Sequence, residues 1–318
     1  MTRQPSELDK VAEAWVDKMA EMSPSFSTYI GKKGGEDKLD DASPEAQEED
    51  VRQMRRVLAE VNATTPQDKV DEVTKDAMRN SLELGIEIHE AGLWKRDLNV
   101  IASPAQGIRD IFDLSPTATE HDWENLAKRM RAVPEAIDGY IRSLREGIKS
   151  GDTPAERQVA MNIEQADGIA AANGFFNVFA AAAKAGDSEL SAALKSEVEA
   201  AGKVATEGYG QLADFFKNEL MPNASKEDAI GRDRYALFSR RFLGAKVDLD
   251  ETYEWGIEEL ARVTKEQNEV ANQIKPGATV QEAIEVLNND AARKLHSKDE
   301  LQKWMQKLSD TAIEKLNG

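Results

Sequence analysis

Apolar side chains recur along this chain at intervals of three and four, the spacing that lines one face of an α-helix. Leu8, Val11, Trp15 and Met19 form such a stripe in a first helix, about Glu7 to Met22. Val51, Met54, Leu58 and Val61 form another. On a long helix from about Pro66 to Leu93, Val70, Val73, Ala77, Leu84 and Ile88 are expected to face inward. No comparable run of alternating β-branched residues marks a strand. The punctuation agrees, because proline is favoured at the first position of a helix, just after a Ser or Thr cap. That pair occurs at Ser23-Pro24, Ser43-Pro44, Thr65-Pro66, Ser103-Pro104, Ser115-Pro116 and Thr153-Pro154. Capping boxes are expected at Ser103 with Gln106, Thr153 with Glu156, Thr279 with Glu282 and Ser297 with Glu300.

Between these helices the pattern changes twice. Lys32 to Glu49 is glycine-rich and acidic and reads as a mobile surface loop leading into a helix. Asp97 to Leu114 is less regular but apolar, which predicts a buried connection whose backbone is served locally by Asn99, Ser103 and Gln106. Helices follow at about Thr119–Ala132 and Pro134–Lys149, then one long helix over Thr153–Ala185. The small residues at the centre of that helix, Gly168 to Ala183, suit a central packing role or the border of a cavity. Another long helix covers about Ser188 to Leu220, and Pro276-Gly277 turns the chain into two amphipathic helices, the last from Ser297 to about Leu316. With no fixed repeat and no linker, the expectation is an all-α fold, a single array of long packed helices over 1–318.

One stretch stands out, Gly231 to Leu260. A first helix brings Ile230, Arg234, Tyr235, Phe238 and Phe242 close to one face, Gly244 ends it, and Asp248 or Asp250 caps a second helix carrying Tyr253, Ile257 and Leu260. Arginine and aromatic residues crowd here in a chain that is only 6% aromatic. The stretch is either a helix-hairpin core with solvated arginines or the wall of a cleft. In the second case Arg234, Tyr235, Arg240, Arg241 and Tyr253 are the candidate contacts, since guanidinium and phenol groups suit a carboxylate-bearing ligand such as a peptide.

The same stretch, with Arg96-Asp-Leu-Asn-Val-Ile-Ala-Ser-Pro-Ala-Gln-Gly-Ile-Arg109 and Asp122-Trp-Glu-Asn-Leu-Ala-Lys-Arg-Met-Arg-Ala-Val-Pro-Glu-Ala-Ile137, resembles the bacterial domain of unknown function family 885. Members of that family look like zinc metallopeptidases of the helical carboxypeptidase, or gluzincin, type. The resemblance covers nearly all of this chain but only the N-terminal part of the family. It implies a peptide-cleaving enzyme whose zinc motif, His-Glu-x-x-Pro-Gly-His with a further Glu, lies in a C-terminal part. No such string occurs between Met1 and Gly318, so no catalytic or metal-binding residue carries over. Zinc is expected only together with that further part, and this chain is expected to be inactive alone.

Composition narrows the alternatives. A net charge of −18 disfavours nucleic acid, which needs a basic surface, and equally disfavours anionic membranes. The absence of cysteine removes disulfides and thiolate chemistry. The amino end, Met1 to Pro5, lacks the apolar run of a signal peptide, and no stretch approaches a membrane span, so the cytoplasm is the expected compartment. Of the three histidines, His89 has Leu93 four residues on, where a zinc helix needs a second ligand. His121 suits a helix end and His296 precedes a cap. A di-iron Glu-x-x-His pattern fails at Ile86, Ala118 and Arg293. Glu83, Glu87 and Glu90 share a helix face as a solvated surface would.

Two functions remain. One is the substrate-cleft part of a zinc peptidase; the other is a non-catalytic helical protein that binds a peptide or protein. A His-Glu pair with a second histidine, in frame beyond Gly318, would decide for the first. An array lacking its second part would leave the Leu301–Leu316 face for that part or for self-association.

Overall fold

The structure is a computed structural model that describes residues 3–317. In chain order its helices are α1 (Glu7–Met22), α2 (Pro24–Tyr29), α3 (Pro44–Ala63), α4 (Lys69–Glu90), α5 (Pro104–Asp110), α6 (Glu120–Arg131) and α7 (Val133–Ser150). There follow α8 (Glu156–Ala170), α9 (Phe175–Ala181), α10 (Ala192–Phe215), α11 (Arg232–Leu243), α12 (Leu249–Ile274), α13 (Val280–Asn289) and α14 (Lys298–Asn317). Among the described residues the only sheet is a two-residue antiparallel pair, β1 (Lys184–Ala185) and β2 (Ser188–Glu189), turning at Gly186. The fold is all-α. Where the sequence reads as one continuous array, the helices gather into two compact units, Met1–Lys246 and Val247–Gly318.

In the first unit the central helix is α10, which packs against α6, α7, α8 and α9. Leu194, Val198, Ala201, Ala205 and Leu212 bury its inward face. Gly202 lets α9 close in: a Cβ there would lie 2.9 Å from the Phe176 carbonyl oxygen. The long helix expected over 153–185 is therefore not the centre, and it is not one helix either. It breaks between Ala170 and Phe175, where a Cβ on Gly174 would sit 2.1 Å from the Ile169 carbonyl oxygen. The break turns Phe176 into the core, edge-on to Phe112 at 5.1 Å and beside Tyr209 at 5.7 Å.

A smaller core joins α1, α3 and α4 through Leu8, Val57, Val61 and Leu82. Here the expected inward face of α4 is corrected. Val70 and Val73 are 54% and 70% exposed, while Asp71 is buried. Its carboxylate accepts from Ser6 Oγ at 2.8 Å, from Gln67 N at 2.9 Å and from Arg3. A charged group with that many donors turns the start of the helix this way and leaves Ala77 exposed as well, while Leu84 faces in as expected, joined by Leu82.

The acidic segment before α3 is stapled rather than loose. Arg129 on α6, wholly buried, donates to the carbonyls of Lys38 and Gly35, each at 2.8 Å, and to Ser115 Oγ at 2.8 Å. Three of the six Ser/Thr-Pro pairs sit at helix starts, Ser23, Ser43 and Ser103. The other three do not: Asp68 caps α4, Thr119 caps α6, and Ala155 precedes α8. Thr153 gives its hydroxyl to the Asn223 carbonyl instead, at 2.8 Å.

In the second unit Asp248 caps α12 by accepting from the amides of Asp250 and Glu251, and Thr279 with Glu282 makes the capping box of α13. Among the described residues its buried side chains are Ala271 and Ala283. No described helix is long and apolar enough to cross a membrane.

Candidate functional site

The site is built on an irregular segment that the helices hold by its backbone. After α4 the chain turns at Gly92 (φ 69°), makes a 3₁₀ turn over Leu93–Arg96, and runs without regular structure to Ser103. Such a run must find partners for its amides and carbonyls. A buried tyrosine supplies one: Tyr140 on α7 donates to the Asp97 carbonyl at 2.6 Å, while Tyr209 on α10, also buried, donates just beyond the run to the Ala105 carbonyl in α5 at 2.7 Å. Amide side chains supply others. Asn162 and Gln106 donate to the Asn99 carbonyl at 3.1 Å each, and Gln165 donates to the Val100 carbonyl at 3.1 Å. Asn99 Oδ1 in turn accepts from the amides of Ile101 and Ala102. The local role expected of Asn99, Ser103 and Gln106 is seen, with α8 adding Asn162 and Gln165.

Behind the segment, α7 comes very close. A Cβ on Gly147 would lie 2.3 Å from the Lys95 carbonyl oxygen and 2.7 Å from that of Asp152. This approach places Arg96 beside Asp152, at 2.8 Å.

In front of the segment lies a cleft of about 880 Å³, walled by residues 93–102, the start of α8 and α11. A second hollow, about 450 Å³, runs between α3, α4 and the end of α11. The two share Gln47, Ile88, Trp94 and Arg241. Trp94 stacks on His89, ring centres 6.0 Å apart, and His89 Nε2 lies 3.2 Å from Glu48.

The nominated residues of 231–260 separate here. Arg234 lines the larger cleft and pairs with Asp152 at 2.9 Å. Arg240 lines the smaller, bound to Glu87 at 3.0 Å and to Asn80 at 3.2 Å. Arg241 lines both. Tyr235 is 56% exposed and lines neither; Tyr253, in the second unit, is 71% exposed.

Residues without a motif of their own complete the walls, Trp94, Asp97, Gln158 and Asp50, while Asp152 holds Arg234 from behind. Asp97 keeps access to solvent yet is enclosed by the cleft, which raises its carboxyl to about 6 while Arg241 pulls the other way. Asp50, in the smaller hollow, is raised to about 6 by burial first and then by the negative charges of Asp40, Glu49 and Asp41. The only sequence signal for Asp97 is the Arg96-Asp97 pair opening an otherwise apolar, non-helical stretch. As for metals, no three His, Asp or Glu side chains gather into a metal-holding group among the described residues. His89 is engaged with Glu48 and Trp94, and His121 lies beside Glu124 on another helix.

The family model described as "Bacterial protein of unknown function (DUF885)" matches residues 24–318. No curated protein matches the chain. Among solved structures, a candidate lipoprotein from Colwellia psychrerythraea superposes with a TM-score of 0.76 at 16% identity, over 97% of this chain and 59% of its own. A candidate lipoprotein of unknown function from Shewanella oneidensis gives 0.65 at 15% identity, over 99% of this chain and 57% of its own. These likenesses concern the fold, and the chain spans less than two thirds of either relative.

Proposed function

This chain belongs to the bacterial family of unknown function DUF885, and from that premise we propose that it forms the substrate-cleft part of a zinc-dependent peptidase. The observation that carries the reading is the cleft before residues 93–102, of a size suited to a small ligand or a short peptide and lined by arginine, tryptophan and phenylalanine. The backbone of its wall is fixed by Tyr140, Asn162 and Gln165, so the wall is organised before any ligand arrives. Zinc does not fit the described residues of this chain: His89 and His121 each face a single carboxylate, Glu48 and Glu124, and no group of three candidate ligands forms around either. Metal chemistry belongs in the proposal to the further part that the family resemblance implies, and no step is derived through it.

Calorimetric titration of the chain with unstructured peptides of about eight residues tests the reading. Saturable binding is expected, weakened about tenfold by Arg241→Ala, the loss of one charge-assisted contact. No hydrolysis of those peptides is expected with or without added zinc. Peptides that fail to bind at millimolar concentration would overturn the cleft. Chelator-sensitive cleavage by the chain alone would overturn its division of labour.

The non-catalytic alternative shares the cleft and differs only in lacking a catalytic partner. The Leu301–Leu316 face is the proposed contact for a further segment or for a second copy. The cytoplasm remains the proposed compartment. Both solved relatives are described as candidate lipoproteins, so fractionation of producing cells is the deciding measurement.

A further inference from the structure

Five charged residues line the larger cleft: Arg96, Asp97, Asp228, Arg234 and Arg241. Three of them are already engaged. Arg96 and Arg234 converge on the single carboxylate of Asp152, at 2.8 and 2.9 Å, and Asp228 pairs with Arg157 at 2.8 Å. The remaining two are an acid and a base. Asp97 and Arg241 sense each other's charge, yet neither side chain has a hydrogen-bond partner among the described residues. A carboxylate and a guanidinium that face one cavity without bonding each other leave a gap. The group that fills it best carries one cation and one anion a short distance apart, because each then gains a charge-assisted bond.

The neutral lining says what such a group would be attached to. Ile88, Leu93, Trp94, Phe238 and Phe242 give the cavity apolar walls.

We propose that this cleft binds a zwitterion, the free α-ammonium and α-carboxylate of an apolar amino acid or dipeptide, with Asp97 receiving the ammonium and Arg241 the carboxylate. The proposal rests on the peptide-cleft reading and makes it more specific. The interior of a long peptide offers neither charge and each of its ends offers one. Only a free amino acid or a very short peptide presents both to one cavity.

The experiment is calorimetric titration of the full chain with leucine, phenylalanine and Leu-Leu, beside their N-acetyl, C-amide and doubly blocked forms. The free forms are expected to bind. Blocking either end should weaken binding about tenfold, the size of one lost contact to a charged group. Asp97→Asn should abolish discrimination against the N-acetyl form alone, and Arg241→Gln discrimination against the C-amide alone. Single amino acids binding better than Leu-Leu, or the reverse, assigns the source of the zwitterion. Doubly blocked forms that bind as well as free ones would overturn the proposal and leave the peptide cleft standing. Long peptides that bind where the short zwitterions do not would have the same effect. If neither long peptides nor short ligands bind, the cleft reading falls and this proposal falls with it. The blocked ligands need no variant, so a variant that fails to fold does not stall the test.

Discussion

A half-buried carboxylate that gains no hydrogen bond is a residue working against its own ionisation, and Asp50 is in that condition. No hydrogen bond or ion pair compensates its side chain among the described residues, while burial and the neighbouring Asp40, Glu49 and Asp41 raise it to about 6. In the unfolded chain it returns to the ordinary value near 3.8. Between those two values the folded state holds more protons than the unfolded state, so this group's contribution to stability falls as pH rises from the lower to the higher. Asp50→Asn removes the penalty. The variant should be more stable than the parent at pH 7, by on the order of 1 kcal/mol after allowance for its partial exposure. The difference should shrink as pH falls from about 6 through 3.8 and vanish only about a unit below that, where both states are protonated. Urea midpoints of the two proteins from about pH 3 to pH 7 measure this. A difference that does not change with pH would mean that Asp50 is ionised as easily in the fold as outside it.

At the level of the elements, the helices are legible in the sequence because their starts are chemical signals local to a few residues. Ser23, Ser43, Ser103, Thr279 and Ser297 all stand at such starts. The signal fails where a distant partner claims the hydroxyl, as the Asn223 carbonyl claims Thr153 and as Ile111 and Arg129 engage Ser115. It is silent at the break before α9, because an alanine-rich run favours helix and only the packing of Phe176 argues otherwise. The site is half legible for the same reason. Arg234, Arg240 and Arg241 sit close together in sequence and can be noticed, whereas Asp97, Asp152 and Gln158 join them only through folding. Gly147 is the element-level test of that assembly. Ala would place a methyl 2.3 Å from the Lys95 carbonyl oxygen, which is backbone and cannot swing away. Gly147→Ala should cost about 1–3 kcal/mol of stability by overpacking. It should also weaken any ligand of the cleft, since Arg96 and Asp97 must shift with the turn. Thermal melts and the peptide titration together check it; a variant with parental stability would show that α7 and the turn have slack between them.

The whole molecule divides its apolar surface unevenly. In Met1–Lys246 the large cluster around α10 and the smaller one around Leu8 give a sealed interior. In Val247–Gly318 the described side chains that are buried are two alanines, although the helices carry wide apolar stripes. On α14, Leu301, Trp304, Met305 and Leu308 follow one another at three- and four-residue spacing and are 44%, 51%, 58% and 51% exposed. Fully burying a side chain of that size is worth roughly 1.5–3 kcal/mol, and since each is about half covered already, covering all four would gain roughly 3–6 kcal/mol, a large part of the stability of a marginal domain. A face of this kind marks an interaction surface more often than a solvated one. The chain in solution is therefore expected to associate with itself at micromolar concentration and to bind a hydrophobic dye. Trp304→Glu with Leu308→Glu should lower both, because each charge would have to be desolvated in any contact formed there. Helix content should change little, since both positions are already open to solvent and glutamate is a good helix former. Sedimentation and dye fluorescence across a dilution series make the measurement. A protein that stays monomeric and dye-free would show that this stripe needs no cover.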